Sequence, residues 1–240
     1  MERFTREMDM STTQITADSS CWSCKAFTAG EYFCAACGKI QPLPRGADYF
    51  QIFGLPRKLW IDASALEARF HQLSWKLHPD NFVRASESER QLSLERSSQL
   101  NDAYRTLQDS VARVEYLLEI EGMRKEGTTK QQAPPELLEE VFELNESLDE
   151  LRRARRDPGD GAQTAALRLR LEEAEKNFEA KLRDVDAGLM ATAEEWDAAL
   201  DRGAEAVVHR AHLAKMNEIL NRRSYIRNLV SNVEKELTEE

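Results

Sequence analysis

Cys21-x-x-Cys24 and Cys34-x-x-Cys37, nine residues apart, account for all four cysteines of the chain. Two such pairs supply four thiolates at the spacing that suits a tetrahedral zinc ion. With every coordination position filled by protein, a single zinc here is structural rather than catalytic. Four thiolates also match iron or an iron-sulfur cluster. Two disulfides would need an oxidising compartment, and a thioredoxin-like redox pair would need a strand-helix-strand setting that so short a segment lacks. Trp22, Phe27, Tyr32 and Phe33 are expected to pack around the metal, in a module too small to fold without it.

The second constellation is His78-Pro79-Asp80. His71, His209 and His212 are scattered over helical patterns with no serine or cysteine nucleophile near them, and no Gly-rich phosphate loop occurs. The chain is therefore not expected to be an enzyme. The tripeptide gains meaning from the elements on either side. Leu66, Phe70, Leu73 and Leu77 recur at i, i+4, i+7 and i+11, one apolar stripe of a helix. Ser64-x-x-Glu67 offers a capping box for it, and Pro79 disfavours helical geometry at the residue before, which stops it. Leu100, Ala103, Tyr104 and Leu107 repeat the spacing, so the two helices can close as an antiparallel hairpin with the tripeptide in the exposed connection. Tyr49, Phe50, Ile52 and Phe53 predict a short apolar helix, ended by Gly54-Leu55-Pro56, that plugs one side.

Asp48-Tyr49-Phe50-x-x-Phe53-Gly54-Leu55, Trp75-Lys76-Leu77-His78-Pro79-Asp80 and Leu100-Asn101-Asp102-Ala103-Tyr104-x-x-Leu107 together resemble a J-domain, the module through which co-chaperones stimulate heat-shock chaperone ATPases. The resemblance implies that His78, Pro79 and Asp80, with Arg69 and Lys76 on the preceding helix, dock on a chaperone. That helix carries fewer cations than many J-domains.

The formal net charge is −10 and it is unevenly spread. Residues 1 to 133 are close to neutral, whereas Glu136 to Arg202 hold nineteen acidic and ten basic side chains. An acidic C-terminal half argues against nucleic acid and suits a basic protein partner. No run approaches the roughly 18 apolar residues of a membrane span. The first twenty residues lack a signal-peptide core and mix Glu2, Glu7, Asp9 and Asp18 with only Arg3 and Arg6, unlike a transit peptide. A cytoplasmic protein with no membrane partner is expected, and a homodimer is compatible with the sequence.

Val111, Val114, Leu117 and Leu118 extend a helix to Glu121-Gly122. The polar stretch from Gly127 to Pro135 then reads as a linker, its two prolines able to start the next helix. Beyond it the pattern is wholly helical. Leu137, Val141, Leu144, Leu148 and Leu151 form a first stripe, and Asp157 to Gly161 breaks it. Leu167, Leu171, Ala174, Phe178, Val185 and Leu189 form a second, with Gly188 near its end. A third is expected from about Trp196, through Leu200, Val207, Ala211 and Ala214 to Met216, Ile219, Ile226, Val230, Val233 and Leu237, with Arg223 where an apolar residue is wanted. Three antiparallel helices burying these stripes make a bundle. At 100° per residue Leu138 and Phe142 lie roughly 100° and 140° from Leu137, off that stripe and beside Glu139 and Glu146. Tyr225 and Leu229 likewise fall off the stripe of the last helix. An apolar strip bordered by charge suits protein docking.

A J-domain followed by an acidic three-helix bundle is similar to the HscB-type iron-sulfur cluster co-chaperones, and Cys21-Trp22-x-Cys24 with Tyr32-Phe33-Cys34-x-x-Cys37 resembles the tetracysteine extension of metazoan-type members. The resemblance implies that the bundle binds an IscU-type scaffold and brings it to a DnaK/HscA-type chaperone. From the match of Glu143-Leu144-Asn145-Glu146-Ser147-Leu148-Asp149-Glu150 it assigns scaffold contacts to Leu138, Phe142, Glu143 and Glu146, with Tyr225 as the aromatic on the last helix. Glu139 stands where some members have an apolar residue. The expected organisation is all-α: a disordered leader over 1–20, a zinc module over 21–44, a J-domain over 46–126, a linker over 127–135 and a bundle over 136–240. A general J-protein for unfolded clients, or a metal or cluster carrier using the four cysteines, are the other functions open to this sequence.

Overall fold

A computed structural model of the chain describes residues 20–28, 31–44, 46–124, 134–156 and 161–238. The expected leader, apart from Ser20, most of the linker and the break after Arg156 lie outside them. The fold is all-α. The helices are α1 (Tyr49–Phe53), α2 (Ala63–Leu77), α3 (Glu87–Gln108), α4 (Ser110–Ile120), α5 (Leu138–Arg156), α6 (Gly161–Asp201) and α7 (Ala206–Thr238), with a 3-10 turn at Pro79–Phe82 between α2 and α3 and another at Pro135–Leu137 leading into α5. Among the described residues, strand-like pairing is limited to two isolated bridges, Ser20 with Phe27 and Phe33 with Ile40.

By its contacts the chain divides into two compact units. One comprises the described residues up to Pro56 together with Asp62–Gln108, and the other comprises Arg57–Ile61 together with the residues from Asp109 onward.

In the first unit, α1 begins with a reciprocal capping box: the Asp48 side chain accepts from the Gln51 amide and the Gln51 side chain accepts from the Asp48 amide. It ends at Gly54, whose φ of 67° is a left-handed conformation that glycine adopts without a Cβ penalty. The N-cap of α2 is Asp62, which accepts from the Ala65 amide, and not Ser64. The helix thus starts two residues earlier than the expected capping box, with the Asp62 carboxylate serving the Ala65 amide in place of Ser64 serving that of Glu67. Leu66, Leu73 and Leu77 of α2 face Leu100, Ala103 and Leu107 of α3 as the buried interior of the hairpin. Phe70 and Tyr104 stack across it with ring centroids 4.1 Å apart.

The second unit is built on the long hairpin α6–α7. One half of it combines with α5: Leu144, Leu148 and Leu151 meet Leu167, Leu171 and Phe178, with Ile226, Val230 and Val233 from α7. The other half takes α4, where Val114, Leu117 and Leu118 pack with Leu189, Trp196, Leu213, Met216 and Leu220. The expected three-helix bundle is thus extended by a fourth helix at its far end.

The turn between α6 and α7 falls at Gly203 (φ 62°), where the Ala204 amide reaches the Ala199 carbonyl at 3.0 Å. Gly188 lies inside α6 and ends nothing, so Trp196 and Leu200 belong to the second bundle helix rather than the third. Val207, Ala211 and Ala214 are exposed, and the start of α7 instead buries Leu213, Met216 and Leu220. Leu229, read as off the stripe, is buried, because α7 packs over a wider arc than one narrow stripe. Arg223 lies within the continuous α7, and its Nε reaches Asp186 of α6 at 2.5 Å, which accounts for a cation at an apolar position of the pattern.

Segment Arg57–Ile61 straps onto this unit. The Asp197 carboxylate accepts from the amides of Leu59 (2.8 Å) and Trp60 (2.7 Å), the Trp196 indole donates to the Arg57 carbonyl at 3.1 Å, and the Arg113 guanidinium donates to the Leu59 carbonyl. These donors and acceptors satisfy a stretch of buried backbone that has no helix or sheet of its own.

Candidate functional site

The tripeptide sits at the C-terminal end of α2. His78 is the helix C-cap, and Pro79 opens the 3-10 turn. The last carbonyls of a helix lack intrahelical donors. Here the Leu77 carbonyl is satisfied from α3, by the hydroxyls of Ser93 (2.6 Å) and Ser97 (2.9 Å). The Asn81 side-chain amide donates to the Trp75 carbonyl at 2.6 Å, and His78 Nδ1 accepts from the Asp80 amide at 3.3 Å. His78 and Asp80 nonetheless project to solvent, their side chains 55% and 84% exposed. The loop backbone is tied while the His78 and Asp80 side chains stay largely open to solvent, the arrangement a docking element needs. Arg69 and Lys76 are exposed on α2, with Arg69 donating to the Gln72 side chain at 2.8 Å. The sequence pattern did not single out Ser93, Ser97 or Asn81, whose roles depend on a hairpin register that only the fold defines.

The four cysteines come together. Their sulfurs all lie within 4.8 Å of one another, with Cys21 and Cys37 at 3.6 Å and Cys24 and Cys34 at 3.7 Å. Each pair forms a tight turn of the same design. Cys21 N donates to the Ala26 carbonyl and Lys25 N to the Cys21 carbonyl; Cys34 N donates to the Lys39 carbonyl and Gly38 N to the Cys34 carbonyl. Lys25 and Gly38, equivalent in the two turns, both have positive φ, 64° and 70°. The amides of Ser23 and Cys24 and the side chain of Gln41 point at the Cys21 sulfur at 3.4–3.5 Å. Burial acts to push the Cys21 thiol up, but the amides of Cys24 and Ser23 and the neighbouring sulfurs outweigh it and hold it at about 6. Amide-to-sulfur hydrogen bonds favour thiolate, and four converging sulfurs fit a tetrahedral metal ion. Cys21, Cys24, Cys34 and Cys37 can hold such an ion.

The cysteine module is seated on the helices of its unit. The Tyr32 hydroxyl donates to the Ile52 carbonyl of α1, its ring lies 4.3 Å from the Arg96 guanidinium carbon of α3, and Lys39 pairs with Glu89 of α3 at 2.7 Å. Arg96 is buried without a protein acceptor among the described residues, so the Tyr32 ring face is its electrostatic cover. Trp22 donates its indole N–H to the Ile40 carbonyl at 2.7 Å. Phe27, expected against the metal, is 76% exposed instead, because the first turn ends at the bridge that carries it outward.

On α5, Leu138 is 54% and Phe142 73% exposed, beside exposed Glu143 and Glu146. The core side of the same helix takes Leu144, Leu148 and Leu151. Glu143 also lines a shallow groove between α5 and α6 with Leu171 and Phe178. Tyr225 of α7 is half-buried against the bundle core, unlike the α5 strip. No described helix is long and apolar enough to cross a membrane.

No protein-family model matches the chain. Over 102 residues it is 41% identical to a co-chaperone protein HscB homolog of Vibrio cholerae, a stretch covering 42% of this chain and 60% of that protein. Over 132 residues it is 36% identical to the mouse iron-sulfur cluster co-chaperone protein HscB, covering 53% of this chain and 56% of the mouse protein. An Arabidopsis thaliana homolog of the same name is 37% identical over 134 residues, which are 55% of this chain and 52% of the plant protein. The chain thus spans about half to three-fifths of the length of the curated relatives it matches. The crystal structure of human co-chaperone protein HscB superposes with a TM-score of 0.63 at 24% identity, covering 91% of this chain and 98% of the human one, and so shares its fold. By sequence over about half its length, and by fold over 91% of it, this chain is similar to the HscB-type co-chaperones.

Proposed function

We propose that this chain is a co-chaperone of iron-sulfur cluster biogenesis that binds an IscU-type scaffold through α5–α7 and stimulates the ATPase of a DnaK/HscA-type chaperone through the α2–α3 hairpin. One observation carries the reading. The chain presents a backbone-tied, solvent-facing His78-Pro79-Asp80 loop and, on a different helix, an exposed apolar strip of Leu138 and Phe142 edged by Glu143 and Glu146. One surface suits a chaperone and the other a folded client. ATP is hydrolysed by the partner, so the chain contributes no catalytic residue of its own. Tyr225 completes the scaffold surface, Arg69 and Lys76 the chaperone surface, and the four cysteines hold one structural zinc. None of the four cysteines is paired in a disulfide, which suits a reducing, cytoplasmic setting.

Scaffold binding tests the reading. Calorimetric titration of an IscU-type scaffold into the full chain should give one binding site, weakened by about 1 to 3 kcal/mol in the L138A/F142A double variant with no loss of thermal stability. Equal binding by the variant and wild type would remove the α5 strip from the interface. A general J-protein would instead bind unfolded peptides in preference to the scaffold. A cluster carrier would show visible absorption from the four cysteines, where zinc is colourless.

A further inference from the structure

Trp75 is 78% exposed, although it belongs to a regular helix with a packed apolar side. At 100° per residue its side chain points roughly 180° from the mean direction of Leu66, Leu73 and Leu77, so no shift within the hairpin could bury it. It precedes His78 by three residues, the spacing that brings side chains onto one face of a helix. Its backbone is fixed, since the Trp75 carbonyl receives the Asn81 side-chain amide from the loop at 2.6 Å. Charge on the same helix is sparse: Arg69 and Lys76 are the cations of α2, opposed by Glu67, and Arg69 is engaged with Gln72. With Asp80 and Arg84 of the adjoining loop offsetting each other, a helix so poorly charged contributes little long-range steering and little salt-sensitive attraction. A large, pre-positioned indole beside the loop supplies what charge does not, because buried tryptophans dominate interface energetics at small cost in conformational entropy.

We propose that Trp75 is the apolar anchor by which this hairpin docks on its chaperone, inserting into a nonpolar depression of the ATPase domain next to the site that receives His78-Pro79-Asp80, and that docking is correspondingly tolerant of salt. The inference rests on the co-chaperone reading above and adds to it the residue and the kind of surface that set affinity.

The test is steady-state ATP hydrolysis by a DnaK-type chaperone from the same source, titrated with the full-length wild type, W75A, W75R and H78Q at low salt and at about 0.5 M salt, where the Debye length falls to a few ångströms. For wild type, the concentration giving half-maximal stimulation should change less than about threefold between the two salts. W75A should raise that concentration about tenfold or more while keeping the maximal rate and the melting temperature, since the ring supports no core contact. W75R should regain part of the affinity at low salt and lose it at high salt. If W75A stays within twofold of wild type while H78Q abolishes stimulation, the anchor is refuted and the co-chaperone reading stands. Stimulation by H78Q equal to wild type would sink the co-chaperone reading and the anchor with it. A wild-type dimer that W75A converts to monomer, with half-maximal stimulation unchanged, would assign the indole to self-association and overturn the proposal.

Discussion

The Ser93 hydroxyl of α3 donates to the Leu77 carbonyl of α2 at 2.6 Å, and Leu77 is the residue immediately before His78. Ser97 shares the same acceptor at 2.9 Å. The hairpin is therefore locked at the point where the loop leaves the helix. The S93A/S97A double variant leaves that carbonyl without its donors and should lower stability by about 1 to 3 kcal/mol in denaturant unfolding. Amide exchange at Asp80 and Asn81 should quicken in the variant, and unchanged exchange would show that the serines do not hold the loop.

The seating of Tyr32 on α1 and α3 ties the cysteine module to the hairpin unit. In C34S the metal should be lost and the two turns should open. Arg96 then loses its aromatic cover, so the hairpin should melt at lower temperature than wild type, an effect that a detached module could not have. Circular dichroism of wild type, C34S and chelator-treated wild type measures it directly, and an unchanged hairpin transition in both metal-free samples would contradict the coupling.

Cys21 gives the module a pH dependence of defined sign. Its thiol lies at about 6 in the folded, metal-free module, against an ordinary value of 9.0. A depressed acid stabilises the folded form fully above the ordinary value and loses that contribution as pH falls through the folded one. Zinc must compete with protons on the same sulfur. Cys37, in contact with Cys21, is pushed up to about 12 and must release its proton to zinc throughout this range. Zinc affinity, measured by competition with a chromophoric chelator, should therefore fall with pH throughout and more steeply below about pH 6 than between 7 and 8, and an equally steep fall in both ranges would rule out a thiolate at Cys21.

Glu236 near the end of α7 is buried and receives Arg152 Nε at 2.7 Å and Arg155 Nη1 at 3.3 Å from α5. The hydrogen bond from Arg152 to Glu236 also holds the arginine above its ordinary range. Arg152 is about half exposed, which lowers the worth of the pair below that of a fully buried one. E236Q should cost about 1 to 2 kcal/mol, read as a lower urea midpoint with an unchanged slope. No shift in the midpoint would assign the closure of α5 on α7 to apolar packing alone.

Much of this organisation was legible in the sequence. The all-α fold, the hairpin with an exposed tripeptide and the convergence of four cysteines follow from periodicity and spacing, which are local signals. The exposure of Leu138 and Phe142 was legible too, because a 100° step separates them from a clear leucine stripe. The end of α6 was not. Gly188 and Gly203 are equally plausible breakers in a pattern that stays apolar through Trp196 and Leu200, and only packing against α4 extends α6 to Asp201. Leu229 and Phe27 were misjudged for a related reason. The width of a buried arc, and the direction in which a short turn projects a ring, depend on partners distant in the chain. Asp197, which holds the amides of Leu59 and Trp60, and Tyr32, which covers Arg96, carry no local signature at all.

The most direct test of the central claim is ATP hydrolysis by a DnaK/HscA-type chaperone from the same source, measured with the full chain in the presence and absence of an IscU-type scaffold. Stimulation that rises more than additively when scaffold is added, and vanishes with H78Q, is the predicted result. Stimulation that is indifferent to scaffold, or that survives H78Q, would contradict a co-chaperone acting through these two surfaces.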